Sequence, residues 1–443
     1  MPAASNSRAT LGILATRVVL LPAQLVVQFA VISQLGSDAY GVYVFVLLGV
    51  FTVLPLSFLG FGGGLTYEIS SGQHAPERTL VSSLLVGLFH GSVTALLVYL
   101  AWRYDLPVTR GLSDTLLLPV LSIFPCAGLS LVLLRTMMGA GWFTLMNVST
   151  ILGTLLTPLF LAILVLGLGL GLEGALYSLV CAYALHATIM LVLVWRRTKP
   201  RFTLNFPMLG DAYHYGFRDW IGGLAAFANL RLDQMLISLL GLNAGTLGVY
   251  GASARVTEIL WLPPDAAGPV LFKRVAETKQ VAERAEVTAQ IHRALFAFTV
   301  LGCLGLAAIA PFLPQILGSD YAELPLLIWV LLPGTAAFLT VKVITKFFGG
   351  SDRPQYSSLG HLAGLLVTLP LGLFLIPTYG GLGAAITTTC SYIVIAGTDV
   401  VLFRRMTRAY PQRLFLIGPS DWHWAKNRLG SALSVWRDRI GKR

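Results

Sequence analysis

Arg231 and Asp233 stand two positions apart in the stretch ANLRLDQMLISLL, residues 228–240. The surrounding run, 221–240, is otherwise long and apolar enough to cross a membrane. A charge at the centre of a bilayer costs about 3 kcal/mol even on lenient insertion scales. Residues held there at that cost form either a pathway for a polar substrate or ion, or a buried pair. Other charges lie within apolar runs: Arg17, Arg255, Glu258, Asp265 and Lys342. Arg135 and Lys346 stand near run ends, where long basic side chains reach back to the headgroups. The chemistry this set offers is binding and charge pairing.

Bond-making chemistry has no comparable signature. The chain holds no HExxH, no GxSxG, no phosphate-binding Walker loop, no CxxC and no clustered aspartates. Its seven histidines, His74, His90, His186, His214, His292, His361 and His423, are scattered, and no two share a helix at ligand spacing. Cys126, Cys181, Cys303 and Cys390 lie in apolar runs and read as small buried hydrophobes. The expectation is a protein that is not an enzyme and carries neither cofactor nor metal.

The elements that must position the charges are membrane helices. Of 443 residues, 56% are hydrophobic and 12% charged, about half the charged fraction of a soluble domain. Apolar runs predict an all-α polytopic membrane protein of about twelve spans, at 11–34, 41–63, 80–102, 115–138, 145–168, 172–195, 216–240, 246–271, 293–317, 324–348, 357–376 and 381–403. No cleavable signal peptide is expected ahead of the first. Lysine and arginine concentrate in alternate connections: Arg78, Arg196, Arg197, Lys199, Arg201, Lys273, Arg274, Lys279, Arg284, Arg353, and Arg404, Arg405 and Arg408 after the last span. The opposite connections hold only Arg103 and Arg110. This asymmetry places both termini in the cytoplasm. It also accounts for the net charge of +11 through an anionic leaflet, with no nucleic acid as partner. Residues 273–293 read as a solvated connecting helix, and 420–443 as an amphipathic helix on the membrane surface, with Trp422, Leu429, Trp436 and Ile440 on one stripe.

The chain also repeats. LGSDAYGVY at 35–43 matches LGLNAGTLGVY at 240–250, and GLEGALYSLVCAY at 171–183 matches GGLGAAITTTCSY at 380–392. The offsets, about 207 and 209 residues, divide the chain into two parallel six-helix lobes. The expected domains are 1–195, a cytoplasmic linker at 196–212, a second lobe at 213–404 and a basic tail at 405–443. Prolines inside the spans, together with the glycine-rich SFLGFGGGLTYEIS at 57–70, suit helices that bend.

With these motifs in order, the chain resembles the Wzx-type polysaccharide repeat-unit flippases of the multidrug/oligosaccharidyl-lipid/polysaccharide (MOP) exporter superfamily. The segments that carry the resemblance are LGSDAYGVYVFV, SFLGFGGGLTYEIS, RTMMGAGWF, GLEGALYSL and YGFRDWIGGLAAFANLRLDQMLISLLGLNAGTLGVYGASARVTEIL, spread over about residues 10–404. The resemblance implies a MATE-like fold and alternating access through a basic cavity. It also implies an undecaprenyl-diphosphate-linked oligosaccharide as substrate, carried between leaflets of a bacterial inner membrane, and partners among membrane lipids and other polysaccharide assembly proteins. By similarity Arg17, Arg231 and Arg255 would line the cavity, with Lys342 a further basic group; Asp233, Glu258 and Asp265 would be structural or coupling charges. Span two has no midspan arginine, unlike lipid II flippases of the superfamily. The alternatives are a cation-coupled multidrug exporter of the same superfamily and a membrane glycosyltransferase.

Spans seven and eight are joined by a short turn that is expected to centre near Ala244, which puts Asp233 and Arg255 at one level. The expectation is then that Asp233 turns toward span eight and neutralises Arg255, while Arg231, on another face, meets the substrate diphosphate. A purely structural ion pair is the alternative.

Overall fold

The computed structural model describes the backbone of residues 3–109, 112–408 and 412–415, and side chains from Gln24 onward except at 108, 218, 219, 221, 222, 227, 412 and 413. The Arg17 side chain and the expected surface helix at 420–443 lie outside the described residues.

The described residues form helices and no strands. In order these are α1 (Ala3–Leu48), α2 (Leu54–Ser57), α3 (Phe61–Ser70), α4 (Pro76–Arg103), α5 (Asp114–Gly139), α6 (Phe143–Leu161), α7 (Gly171–Thr198), α8 (Phe206–Asn229), α9 (Leu232–Leu239), α10 (Ala244–Glu258), α11 (Leu262–Glu277), α12 (Val281–Ile309), α13 (Leu313–Leu317), α14 (Leu324–Gly350), α15 (Gln355–Thr407) and α16 (Gln412–Phe415). Helix covers each of the twelve apolar runs. Two long helices pass from one run into the next: α1 holds the first run and the start of the second, and α15 the last two. Gly36 in α1 (φ 72°) and Gly380 in α15 (φ 58°) take a left-handed conformation that turns the chain between spans. Among the described residues eight helices are long and apolar enough to cross a membrane. Runs seven and eight fall outside that set because each is broken and charged in the middle. Wide π-helical turns at Gly49–Val53 and Ala162–Gly167 adjoin Pro55 and Pro158, whose missing N–H groups interrupt regular bonding.

By contacts the chain divides into two compact units. The first comprises residues 1–256, 309–330 and 368–388, the second 257–308, 331–367 and 389–443. In the first unit the repeated GVY turns meet. A Cβ at Gly41 would fall 1.7 Å from the Ala244 carbonyl oxygen, and one at Gly248 2.0 Å from that of Ser37. Only glycine permits this approach. The third turn of the unit joins the same cluster: Tyr321 Oη donates to the Ile32 carbonyl at 3.3 Å, and Ser33 Oγ to that of Ile316 at 3.0 Å. The second repeated pair keeps its local bonding too, with Ser178 Oγ donating to the Gly174 carbonyl at 2.7 Å and Thr387 Oγ1 to that of Gly383 at 2.8 Å.

The core of the second unit gathers Leu271, Val275, Ala285, Ala289, Leu339, Val343, Phe347 and Phe403. This corrects the reading of 273–293 as a solvated connecting helix. The chain breaks only at 278–280, and residues from Val281 onward extend the ninth span as α12. One face of that extension, Ala285, Thr288, Ala289 and His292, is buried. Its alanines are small enough for the charged face to stay wet while this face packs. The four cysteines are free and half-buried rather than fully buried.

Candidate functional site

The span that carries Arg231 is two helices. α8 ends at Asn229, α9 begins at Leu232, and Arg231 between them has a non-helical backbone (φ −142°, ψ −4°). The local sequence explains the break. Asn229 and Asp233 have short polar side chains that compete with the helix for backbone partners. Asn229 Nδ2 donates to the Ala225 carbonyl at 2.9 Å, and its Oδ1 accepts from Thr368 Oγ1 at 3.3 Å. Asp233 Oδ1 accepts from the Gln234 N–H at 2.7 Å in the first turn of α9, where the helix dipole favours a negative charge. Irregular backbone at membrane depth survives where protein satisfies it or where it lines a polar path.

Asp233 is 5% exposed. Its second oxygen accepts from Tyr250 Oη on α10 and from Thr388 Oγ1 on α15, the latter at 2.7 Å, and the two hydroxyls lie 3.0 Å apart. Three helices thus converge on one carboxylate. The expected turn toward the eighth span is present, with a different partner. α9 closes at Leu239 and α10 opens at Ala244, capped by Asn243 Oδ1, which accepts from the Thr246 N–H at 2.7 Å. The turn therefore centres two to three residues before Ala244, and the level of Asp233 falls at Tyr250. Arg231 and Asp233 interact electrostatically, as do Arg255 and Tyr43. Arg231 and Arg255 are half-buried.

The remaining sequence candidates lie in the second unit. Glu258 ends α10 and is half-buried. Lys342 Nζ lies 2.7 Å from Asp265 Oδ1 and 4.9 Å from the centre of the Trp261 ring, a cation–π contact. Trp261 sits in the tight turn, Ile259–Trp261, that separates α10 from α11, and its indole N–H donates to the Thr335 carbonyl at 3.3 Å. Phe338 and Tyr392 pack beside it, their rings tilted 33° with centres 4.3 Å apart. The Asp265 side chain remains 57% exposed.

Sequence reasoning missed a cluster in the first unit, Glu68, His74 and Asp211, whose ligand atoms lie within 4.8 Å of one another. Glu68 is buried in α3, beyond the apolar part of the second span. Burial, then the Asp211 charge, pushes its carboxyl above the ordinary range, and His74 opposes the shift. Glu68 and His74 lie on one short stretch, and only packing brings Asp211 to them from the start of α8, so no spacing announced the three. Tyr250 was visible only as a repeat residue, and Thr388 only as one of three consecutive threonines.

No protein-family model and no curated protein sequence matches the chain. Solved structures do. An inward-facing multidrug-resistance MATE transporter of the MOP superfamily is similar at TM-score 0.69 with 15% identity, over 87% of this chain and 94% of that one. The lipid II flippase MurJ in an inward closed conformation is similar at TM-score 0.68 with 12% identity, over 88% of this chain and 87% of that one. A MOP superfamily transporter from Pyrococcus furiosus, described with a binding pocket of reverse polarity, is similar at TM-score 0.62 with 14% identity, over 91% and 95%. These neighbours are transporters and flippases, not enzymes. The chain is a multi-pass membrane protein with the all-helical, two-lobe fold of the MOP transporters.

Proposed function

We propose that this protein is a flippase. It moves an undecaprenyl-diphosphate-linked polysaccharide repeat unit from the cytoplasmic to the periplasmic leaflet of a bacterial inner membrane, by alternating access through a basic cavity. The observation that carries this reading is the broken seventh span. Its acid, Asp233, is buried and engaged by Tyr250, Thr388 and the Gln234 N–H. Its base, Arg231, stands on the non-helical residue between two helices. A planar guanidinium binds phosphate oxygens as a fork. Arg255 and Arg17 add positive charge along the first and eighth spans. A site of this sign suits an anionic diphosphate head and repels a cationic drug.

Export of organic cations is the second reading. It draws on the exposed Asp265 carboxylate, which pairs with Lys342, and on the Trp261 and Phe338 rings beneath that ammonium, groups that would attract a cation in place of the lysine. The two readings separate in proteoliposomes. Purified protein should speed the crossing of a fluorescent undecaprenyl-diphosphate oligosaccharide, read by quencher access, and leave uptake of a cationic dye at the empty-vesicle rate. Dye transport with no lipid flipping would reverse the assignment.

A further inference from the structure

Glu68, His74 and Asp211 join the end of α3 to the start of α8, two helices in close contact. A Cβ at Gly64 would fall 1.8 Å from the Ala212 carbonyl oxygen, and the rings of Tyr67 and Tyr215 stack with centres 3.9 Å apart. His74 Nε2 lies 3.8 Å from Glu68 Oε2 and 3.6 Å from Asp211 Oδ2. Both separations are too long for hydrogen bonds. Glu68 is 3% exposed, and its Oε2, aimed at this gap, has no hydrogen-bond partner among the described residues. A buried, unpartnered carboxylate oxygen facing a second carboxylate and an imidazole costs stability until a cation enters.

We propose that Glu68, His74 and Asp211 bind a divalent transition-metal ion of the zinc class, which ties α3 to α8. Metal–nitrogen and metal–oxygen bonds of about 2.0–2.2 Å set tetrahedral ligand separations near 3.4 Å. The two separations from His74 need only a few tenths of an ångström of contraction, and the two carboxylates, within 4.8 Å of each other, close further by rotation of the exposed Asp211 side chain. The Asp211 side chain is 58% exposed, so water can complete the coordination.

Asn205 makes the proposal sharper. Its Oδ1 accepts from the Met208 N–H at 3.1 Å at the start of α8, so its Nδ2 faces His74 Nδ1 at 3.3 Å. That arrangement keeps the ring proton on Nε2. Metal binding needs the Nε2 lone pair, so the proton must move to Nδ1 and the Asn205 amide must turn to accept it, giving up Met208. An aspartate at 205 would accept from both N–H groups at once. Asn205→Asp should therefore tighten metal binding, whereas most substitutions around a metal site weaken it.

The test uses the full-length protein in detergent, without a polyhistidine tag, and Zn²⁺ alone as the probe. Equilibrium dialysis should find one Zn²⁺ per chain, bound at least about tenfold more weakly by Glu68→Gln and by Asp211→Asn and severalfold more tightly by Asn205→Asp. Asp211 is largely exposed, so its variant should fold as the parent does. Zn²⁺ should also raise the unfolding temperature of the parent and leave that of Glu68→Gln unchanged. Absence of stoichiometric Zn²⁺, equal binding by the parent and both carboxylate variants, or weaker binding by Asn205→Asp would overturn the proposal.

Discussion

The hydroxyl of Tyr250 on α10 donates a hydrogen bond to the buried carboxylate of Asp233 on α9, and Thr388 on α15 donates to the same oxygen. The eleventh and twelfth spans share α15, so this contact ties the seventh, eighth and twelfth spans together inside one unit. Removing one donor leaves a buried charge short of a partner, at a cost of about 1–3 kcal/mol. Tyr250→Phe and Thr388→Val should each lower the unfolding temperature in detergent. Tyr250→Phe should cost much less in an Asp233→Leu background, where the acceptor is gone. Equal cost in both backgrounds would mean that the bond contributes nothing to stability.

The contact between the repeated turns gives a second prediction. A side chain at Gly248 would overlap the Ser37 carbonyl, which lies 2.0 Å from its Cβ position. Gly248→Leu should force the 35–43 and 240–250 turns apart. In a cysteine pair at Asp38 and Gly245, whose Asp38 Oδ1 lies 2.6 Å from the Gly245 Cβ position, oxidative cross-linking should be efficient in the parent background and fall severalfold with Gly248→Leu. Unchanged cross-linking would show that the turns part without strain.

The twelve helical runs were legible because apolar length at 1.5 Å per residue is a strong, local signal. The repeat was legible because Gly41 and Gly248 do the same steric work. The partner of Asp233 was not. Its level was counted from Ala244, but Asn243 caps the next helix and moves the turn back, so the match slid from Arg255 to Tyr250. Thr388 and the Glu68, His74 and Asp211 cluster were beyond reach for another reason. Thr388 and Asp211 are brought in from distant segments by packing, and no spacing along the chain encodes that.

Membrane orientation is open to a direct test. The turns at 36–38, 241–245 and 318–321 gather in one place, with Gly36 beside Asp320 and Gly245 beside Asp38. The connection after α3 meets the linker elsewhere, where the Arg201 N–H donates to the Glu77 carbonyl at 3.0 Å. The lysine and arginine bias assigns the first group to the periplasm and the second to the cytoplasm. Single cysteines at Asp38, Asn243 and Ser319 should react with an impermeant reagent added to intact cells. Cysteines at 196–212 and 273–293 should react only after lysis. Labelling of 273–293 in intact cells would reverse the orientation.

Arg231 separates substrate contact from scaffolding. Asp233 is held by Tyr250, Thr388 and the Gln234 N–H, so losing the neighbouring guanidinium leaves that carboxylate still bonded. If Arg231 grips diphosphate, Arg231→Ala should abolish flipping while the protein stays abundant and monodisperse. Arg231→Lys should retain a fraction of the rate, because lysine keeps the charge and loses the bidentate fork. Arg231→Gln should behave like the alanine variant, since hydrogen bonding without charge does not offset the desolvation of a diphosphate. The comparison partner is Asp233→Ala. It strips the acceptor from two buried hydroxyls and should lower abundance and unfolding temperature first, with any residual folded protein still moving lipid. A well-folded Arg231→Ala protein that flips at the parent rate would remove Arg231 from the substrate path and leave it a structural companion of Asp233.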